Sequence, residues 1–170
     1  MKMAKSFILL LLMSLITIHC NSQSNCNVGE VAKYFIESII KRDFDTYIKY
    51  NGSFRIELAQ LLERTPEFDR GHKKEEFFAR AKEIFYANYA NAYWNTFEIK
   101  FKSLTQNQGL EKQPLKVLQI EPSSEQSELY NTIVYVDTGI PNIGVKGNVI
   151  AKVYMSDKYC MVFRIEEYVH

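Results

Sequence analysis

The hydrophobic and polar positions of this 170-residue chain divide it into a helical first half and a strand-rich second half. The clearest pattern is the alternation over residues 146–169, where two apolar-polar stretches flank the polar turn 156–158. Alternation with a period of two is typical of half-buried strands, so we predict a β-hairpin here. The apolar residues expected on its buried face are Val149, Ala151, Val153 and Met155 on the first strand, and Met161, Phe163, Ile165 and Val169 on the second.

Before position 93, apolar residues recur at helical spacing. Asn27 and Glu30 form a pattern typical of a capping box, so a first helix is expected to begin there. Asp43 is placed to cap a second, short helix. The pair at 51–52 is expected to end that helix, because asparagine and glycine tolerate the left-handed conformation of a helix C-terminus.

Two further helices are expected in the first half. Ser53 is predicted to cap a third helix that ends at about Arg64. The longest helix is predicted over residues 72–92, with a broad apolar face. The members of that face are Phe77, Phe78, Ala81, Ile84, Phe85 and Tyr89.

From Tyr93 onward the period changes to two, which indicates strands over residues 93–102, 115–120 and 127–136. The last of these has apolar residues on both faces, which is typical of a central strand. Residues 138–147 are expected to form a loop. Helices followed by about five strands predict an α+β domain, with the N-terminal helices on one face of a mainly antiparallel sheet.

This order of elements resembles the nuclear transport factor 2-like, or cystatin-like, fold. The break over residues 40–45, between the first two helices, and the C-terminal hairpin are also similar to that superfamily. The resemblance covers most of the chain after residue 24. It implies a strongly curved, cone-like sheet with an apolar pocket, and small exported proteins of this fold occur among bacterial lipoproteins.

Residues 1–24 are expected to be a leader that precedes a single domain over residues 25–170. Lys2 and Lys5 stand before the apolar run 7–18, which is shorter than the about 20 residues that a membrane span needs. A positive start followed by a run of this length is typical of a secretory signal, and a permanent N-terminal anchor is the less favoured alternative.

Two routes of processing stay open, with the boundary between residues 19 and 24. Cys20 directly follows the apolar run and is similar to the lipidated cysteine of bacterial lipoproteins, although His19 stands where that family has a small residue. Ordinary cleavage after Ser24 is the alternative, because Ser22 and Ser24 form a pair of small residues.

Charge and cysteine content narrow the class of protein. Without Lys2 and Lys5, the chain has 19 basic residues against 20 acidic ones and is nearly neutral. Because proteins that bind nucleic acids carry an excess of positive charge, we expect no nucleic-acid partner. In an oxidising compartment, Cys26 and Cys160 either pair or remain as two thiols. A bridge between them would close a very long loop and stabilise the chain by about 4–5 kcal/mol in the chain-entropy model.

Candidate site residues are few, and we expect no metal and no cofactor. The pocket implied by the resemblance would be lined by aromatic residues with polar rims, and ordinary core packing is the alternative. Asp137, at a predicted strand end, is the one acid placed to remove a proton there; a solvated turn residue is the alternative. Arg164 is expected as a solvated charge on the strand face of Cys160 and Val162. The expected binding residues are Tyr47, Tyr93, Trp94, Tyr135 and Asp137.

Together these patterns lead us to expect an exported, non-enzymatic binding or interaction protein of the bacterial envelope. It would be periplasmic, or anchored to a membrane through a lipid on Cys20. Its partner would be another protein, as for an immunity-type protein that blocks a toxin, or a small apolar ligand. The alternative is a small cofactor-free enzyme of the isomerase or cyclase type that acts on a hydrophobic substrate in the pocket.

Overall fold

The computed structural model describes residues 26–90, 114–125, 127–142 and 145–168. The helices are α1 Val28–Lys41, α2 Phe44–Tyr50, α3 Gly52–Glu63 and α4 Arg70–Ile84, with a 3₁₀ turn Glu67–Asp69 before α4 and a π-helical turn Phe85–Ala90 after it. The strands are β1 Lys116–Pro122, β2 Thr132–Pro141, β3 Asn148–Ser156 and β4 Met161–Tyr168. The predicted α+β class is confirmed.

Helix α1 begins and ends as its sequence predicts. The Asn27 side chain accepts a hydrogen bond of 3.2 Å from the Glu30 amide, which satisfies one of the amides left open at the helix start. Arg42, with φ 57°, ends the helix in the left-handed conformation. Six apolar residues of α1 are buried against the sheet and the neighbouring helices: Val31, Ala32, Phe35, Ile36, Ile39 and Ile40.

Helix α2 is capped by Asp43, as predicted, whereas the predicted cap of α3 is wrong. Asn51, rather than Ser53, caps α3, since its side-chain oxygen accepts a hydrogen bond of 2.9 Å from the Phe54 amide. Asn51 therefore has an extended backbone, not the left-handed conformation expected of it. It separates the two helices by capping the second one.

Helix α4 begins near its predicted start but gives way to the π-helical turn at Phe85. None of the residues in α4 is buried. Phe85 at its end is only 1% exposed and contacts the rings of Phe44 and Tyr47. The end of the predicted helix is therefore fully buried, while Phe77, Phe78 and Ala81 in its middle are partly buried and pack against the core.

The sheet has the order β1-β2-β3-β4, with every neighbouring pair antiparallel, and it is not closed. β2 is central, as predicted. Four strands are present in the described ranges against about five predicted, and the strand predicted over 93–102 lies outside those ranges. The loop predicted to begin at Thr138 is wrong, because β2 continues to Pro141 through a register shift at Gly139, whose φ is 66°.

The C-terminal hairpin is confirmed for β3 and partly wrong for β4. The predicted core residues of β3 are at most 4% exposed. On β4, a bulge places Val162 opposite Met155 and Arg164 opposite Tyr154. Val162, at 1% exposure, therefore enters the core, while Met161 and Phe163 are half-buried. Val169 lies outside the described residues.

A disulfide joins Cys26, just before α1, to Cys160 in the turn between β3 and β4. The sulfur atoms are 2.09 Å apart, the Cα atoms are 5.5 Å apart, and 134 positions separate the two residues in sequence. The start of the first helix is thus covalently joined to the turn of the last hairpin. Of the helices in the described ranges, none combines the length and the apolar character that a membrane span requires.

Candidate functional site

The sheet has two chemically different faces. The inner face packs on the helices and supplies core residues such as Val134, Ala151 and Val153. On the outer face, the strand register aligns side chains in three rows that cross all four strands. The rows are Lys116–Asp137–Ile150–Tyr168, Gln119–Tyr135–Lys152–Glu166 and Glu121–Ile133–Tyr154–Arg164.

Arg164 is the centre of one half of this outer face. Its guanidinium carbon lies 3.8 Å from the ring centre of Tyr154 and 5.5 Å from that of Tyr130. One terminal nitrogen donates a hydrogen bond of 2.7 Å to Glu125. Its Nε lies 3.1 Å from a carboxylate oxygen of Glu166, close enough for an ion pair although not aligned for a hydrogen bond. Stacking and ion pairing therefore fix the Arg164 side chain, which is still 39% exposed.

Hydrogen bonds between the groups around Arg164 stabilise the charged form of Glu125 and Arg164 and the protonated form of Tyr130. The hydrogen bond from the Tyr130 hydroxyl, followed by the one from Arg164, lowers the pKa of the Glu125 carboxyl. Glu125 in turn raises the pKa of Tyr130 and of Arg164. Tyr154 donates a hydrogen bond of 2.8 Å to Glu166, which extends the network to the neighbouring row. The arrangement presents an ordered arginine beside Tyr130 on a polar surface, and it packs that arginine against the Tyr154 ring, which is itself only 1% exposed.

The other half of the outer face contains a cleft of about 250 Å³, which we call the outer cleft. The rings of Tyr135 and Tyr168 meet there edge to face, with their centres 5.2 Å apart. Glu121 accepts a hydrogen bond of 2.8 Å from the Tyr135 hydroxyl and one of 2.7 Å from the Gln119 amide. The residues that line the outer cleft are Leu118, Gln119, Glu121, Tyr135, Ile150 and Tyr168.

A second cleft, of about 190 Å³, lies at the junction of α1, α2 and β4, and we call it the helix-side cleft. Asn51 forms a parallel bridge with Val162 at this place, so that α3 begins against the edge of the sheet. The residues that line this cleft are Phe35, Tyr47, Asn51, Ser53, Val162, Phe163, Arg164 and Ile165.

Of the predicted binding residues that the structure describes, Tyr47 and Tyr135 lie in different clefts and Asp137 lies in neither. Tyr47 lines the helix-side cleft, is 5% exposed, and stacks on Phe35 with ring centres 5.1 Å apart. Tyr135 lines the outer cleft on the opposite side of the sheet. Tyr93 and Trp94, like the lipidation candidate Cys20, lie outside the described residues.

Asp137 lies inside β2 and not at a strand end. Its carboxylate accepts hydrogen bonds from the Gly139 amide at 2.8 Å and from the Asn148 side chain at 2.9 Å. It lines neither of the two clefts described above, and the Tyr135 hydroxyl donates to Glu121 instead. The contacts of Asp137 hold the bulge where β2 changes register.

Arg164 lies on the exposed sheet face, as expected, but Val162 does not share that face. The bulge at Phe163 turns Val162 into the core and leaves Arg164 on the outer face, in line with Tyr154. The outer-cleft residue Glu121 and the stacking residues Tyr130 and Tyr154 were missed. A signal was present for Tyr154, because it alternates along β3 with Val153 and Met155 of the inner face.

Residue types that can ligate a metal ion lie apart from one another in the part of the chain that the structure describes. No group of three or more histidine, cysteine, aspartate or glutamate residues comes together there. His72 lies on the exposed side of α4, where its Nε2 is 2.8 Å from a carboxylate oxygen of Glu76. This contact joins adjacent turns of one helix.

Comparison with protein-family models, with curated proteins and with solved structures gives no match.

Proposed function

We propose that this protein is an exported, non-enzymatic binding protein of the cell envelope and that the outer face of its sheet binds a protein partner. The observation that carries the proposal is the ordered Arg164 side chain, which is 39% exposed beside Tyr130 on that face and is held against the buried ring of Tyr154. Arginine and tyrosine are enriched at protein interfaces, and a side chain that is already ordered loses little entropy on binding.

The architecture supports this use of the outer face. Helices α1 and α3 cover the inner face of the sheet, so the rows of tyrosine and charged residues point away from the core. A curved sheet of the cystatin-like type, with a cone-like hollow, is the finer fold that we propose. An immunity-type protein that blocks a toxin is one concrete form of this function, and it depends on fold analogy alone.

The predicted leader and the cysteines support the proposal that the protein is exported. A signal over residues 1–24, with lipidation at Cys20 or cleavage near Ser24, would deliver the chain to a compartment where disulfides persist. The bond between Cys26 and Cys160 is consistent with such a compartment. A lipid on Cys20 would leave only a short tether before the folded domain begins.

The alternative function, a small isomerase or cyclase, has weaker support. It requires an acid or a histidine inside a cleft, where burial would adjust its pKa. Asp137, the acid that we named for this role, is held by Gly139 and Asn148 in the bulge of β2. We therefore favour binding over catalysis.

Site-specific photo-crosslinking tests the proposal. The crosslinking amino acid benzoylphenylalanine replaces Leu118, which is 52% exposed beside the outer cleft. A matched control carries it at Glu75, on the exposed side of α4. Cells that express the chain naturally are irradiated, and adducts and the N-terminal mass are identified by mass spectrometry.

We expect one protein to crosslink at position 118 and not at position 75, and the mature chain to begin between residues 20 and 25. Equal crosslinking at both positions would contradict the outer face as the binding surface. An intact start at Met1 would contradict export. A retained small molecule with no protein adduct would contradict the protein partner and favour a ligand-binding function.

A further inference from the structure

The outer cleft contains a carboxylate whose charge is not neutralised within the described ranges. The other acids of the outer face have partners, since Glu166 is paired with Arg164, and Asp137 accepts from Asn148 and Gly139. Among the described residues, Glu121 accepts hydrogen bonds only from the neutral donors Tyr135 and Gln119. Its two oxygen atoms retain capacity, because each carboxylate oxygen has about two acceptor positions.

The nearest cation in the rows does not occupy this position. Lys152 is opposite Tyr135 in the strand register, but its ammonium lies 4.9 Å from the ring centre of Tyr154, in the next row. No ion pair joins Lys152 to Glu121 in the part of the chain that the structure describes. The outer cleft therefore has a net negative rim beside its aromatic wall.

The walls of the outer cleft suit a cation that has an apolar stem. Tyr135 and Tyr168 provide ring faces and edges, and Leu118 and Ile150 provide apolar surface. At about 250 Å³, the cleft is smaller than the roughly 300–1,000 Å³ of sites for drug-sized ligands. This volume favours a single inserted side chain over a larger free ligand.

We propose that the outer cleft binds the guanidinium group of an arginine side chain that the partner protein presents. The planar guanidinium stacks on a tyrosine ring and donates two parallel hydrogen bonds to a carboxylate, which an ammonium cannot match. Glu121 accepts the charged group, and Tyr135 and Tyr168 contact its face and stem. This inference depends on the proposed function, since it names the chemical group by which the partner is recognised.

A titration with small probes tests the inference without the partner. The ¹⁵N-labelled protein, in the form that expressing cells yield, is titrated with N-acetyl-arginine amide and followed by NMR. The matched ligand is N-acetyl-citrulline amide, which has nearly the same shape and no charge. We expect saturable shifts centred on residues 118–121, 135, 150 and 168 for the arginine probe, at least about tenfold tighter than for citrulline.

Variants assign the effect to the cleft. Glu121→Gln keeps the hydrogen-bonding shape but removes the charge, and it should weaken arginine binding by about tenfold or more. Glu57→Gln, at an exposed position of α3, is the matched control and should change nothing. If Glu121→Gln does not fold, the comparison of arginine with citrulline in the unaltered chain, repeated at high salt, still decides the question.

Three results would overturn the inference: equal affinity for the two probes, shifts centred on the helix-side cleft, or unchanged binding in Glu121→Gln. These results leave the proposed function standing if crosslinking at position 118 still captures one protein. The opposite combination is also informative. If the arginine probe binds specifically but no protein crosslinks at position 118, the protein partner is contradicted and the cleft is still a guanidinium site.

Discussion

At the scale of single residues, α3 packs closely against the last strand. Gly52, in the first turn of α3, lies directly against the ring of Phe163. A Cβ atom at position 52 would overlap three atoms of that ring. Phe163 is in this position because the bulge in β4 displaces it from the core row that its place in the sequence predicts.

Gly52→Ala should therefore lower the free energy of unfolding, by about 1–3 kcal/mol, because the Phe163 ring must move out of a packed position. Gly71→Ala is the matched control, since Gly71 lies in α4 with nothing within 4 Å of the added atom. That change should raise the free energy of unfolding by about 0.4–1 kcal/mol, through a smaller loss of backbone entropy on folding. Urea unfolding followed by circular dichroism measures both, and equal effects would refute the close contact.

At the scale of elements, short polar residues set the helix boundaries. Asp43 accepts a hydrogen bond of 3.1 Å from the Thr46 amide at the start of α2. The hydrogen bonds from the side chain and the backbone of Thr46 lower the pKa of Asp43 below its ordinary value. Because α2 has only seven residues, it depends on this cap and on the burial of Phe44 and Tyr47.

Asp43→Ala should lower the free energy of unfolding at neutral pH by about 0.5–2 kcal/mol, whereas Asp43→Asn, which keeps an acceptor, should cost less. The pKa of Asp43 is lowered on folding, so its charged form adds stability above the ordinary value of 3.8. This contribution is lost as the pH falls through the lowered pKa. Urea denaturation measured at several pH values between neutral pH and pH 3 should show the free energy of unfolding of the wild type approaching that of Asp43→Asn. A difference between the two free energies that does not change with pH would argue against the charged cap.

At the scale of the whole molecule, the disulfide joins the two ends of the described fold. It links the beginning of α1 to the β3–β4 turn across 134 positions. Closure of so long a loop restricts the unfolded chain far more than the folded one. The helical layer and the last hairpin are consequently held together even when the intervening packing loosens.

The double variant Cys26→Ser with Cys160→Ser should lose about 2–5 kcal/mol in the free energy of unfolding. Urea denaturation of the wild type with and without a reducing agent provides the comparison, and the reduced wild type should match the double variant. If the urea midpoint of the wild type is the same under both conditions, the bridge contributes no stability in solution.

Local signals in the sequence were sufficient for much of this fold. Asn27 and Asp43 predicted their helix starts because capping depends on a side chain and an amide three residues apart. The alternation in β3 predicted its buried face because strand geometry turns successive side chains to opposite sides. The centrality of β2 followed from apolar residues on both faces.

Only the tertiary structure decided which residues share a surface. The bulge in β4 turns Val162 into the core while Arg164 stays on the outer face, and a bulge depends on pairing with β3 that no local pattern reveals. Tyr47 and Tyr135 were expected in one pocket, yet the sheet lies between them. The sequence by itself determined the helices, the hairpin and the α+β class, since these depend on neighbouring residues. The outer cleft needed the register of strands far apart in the chain, because Glu121, Tyr135 and Tyr168 meet only through it.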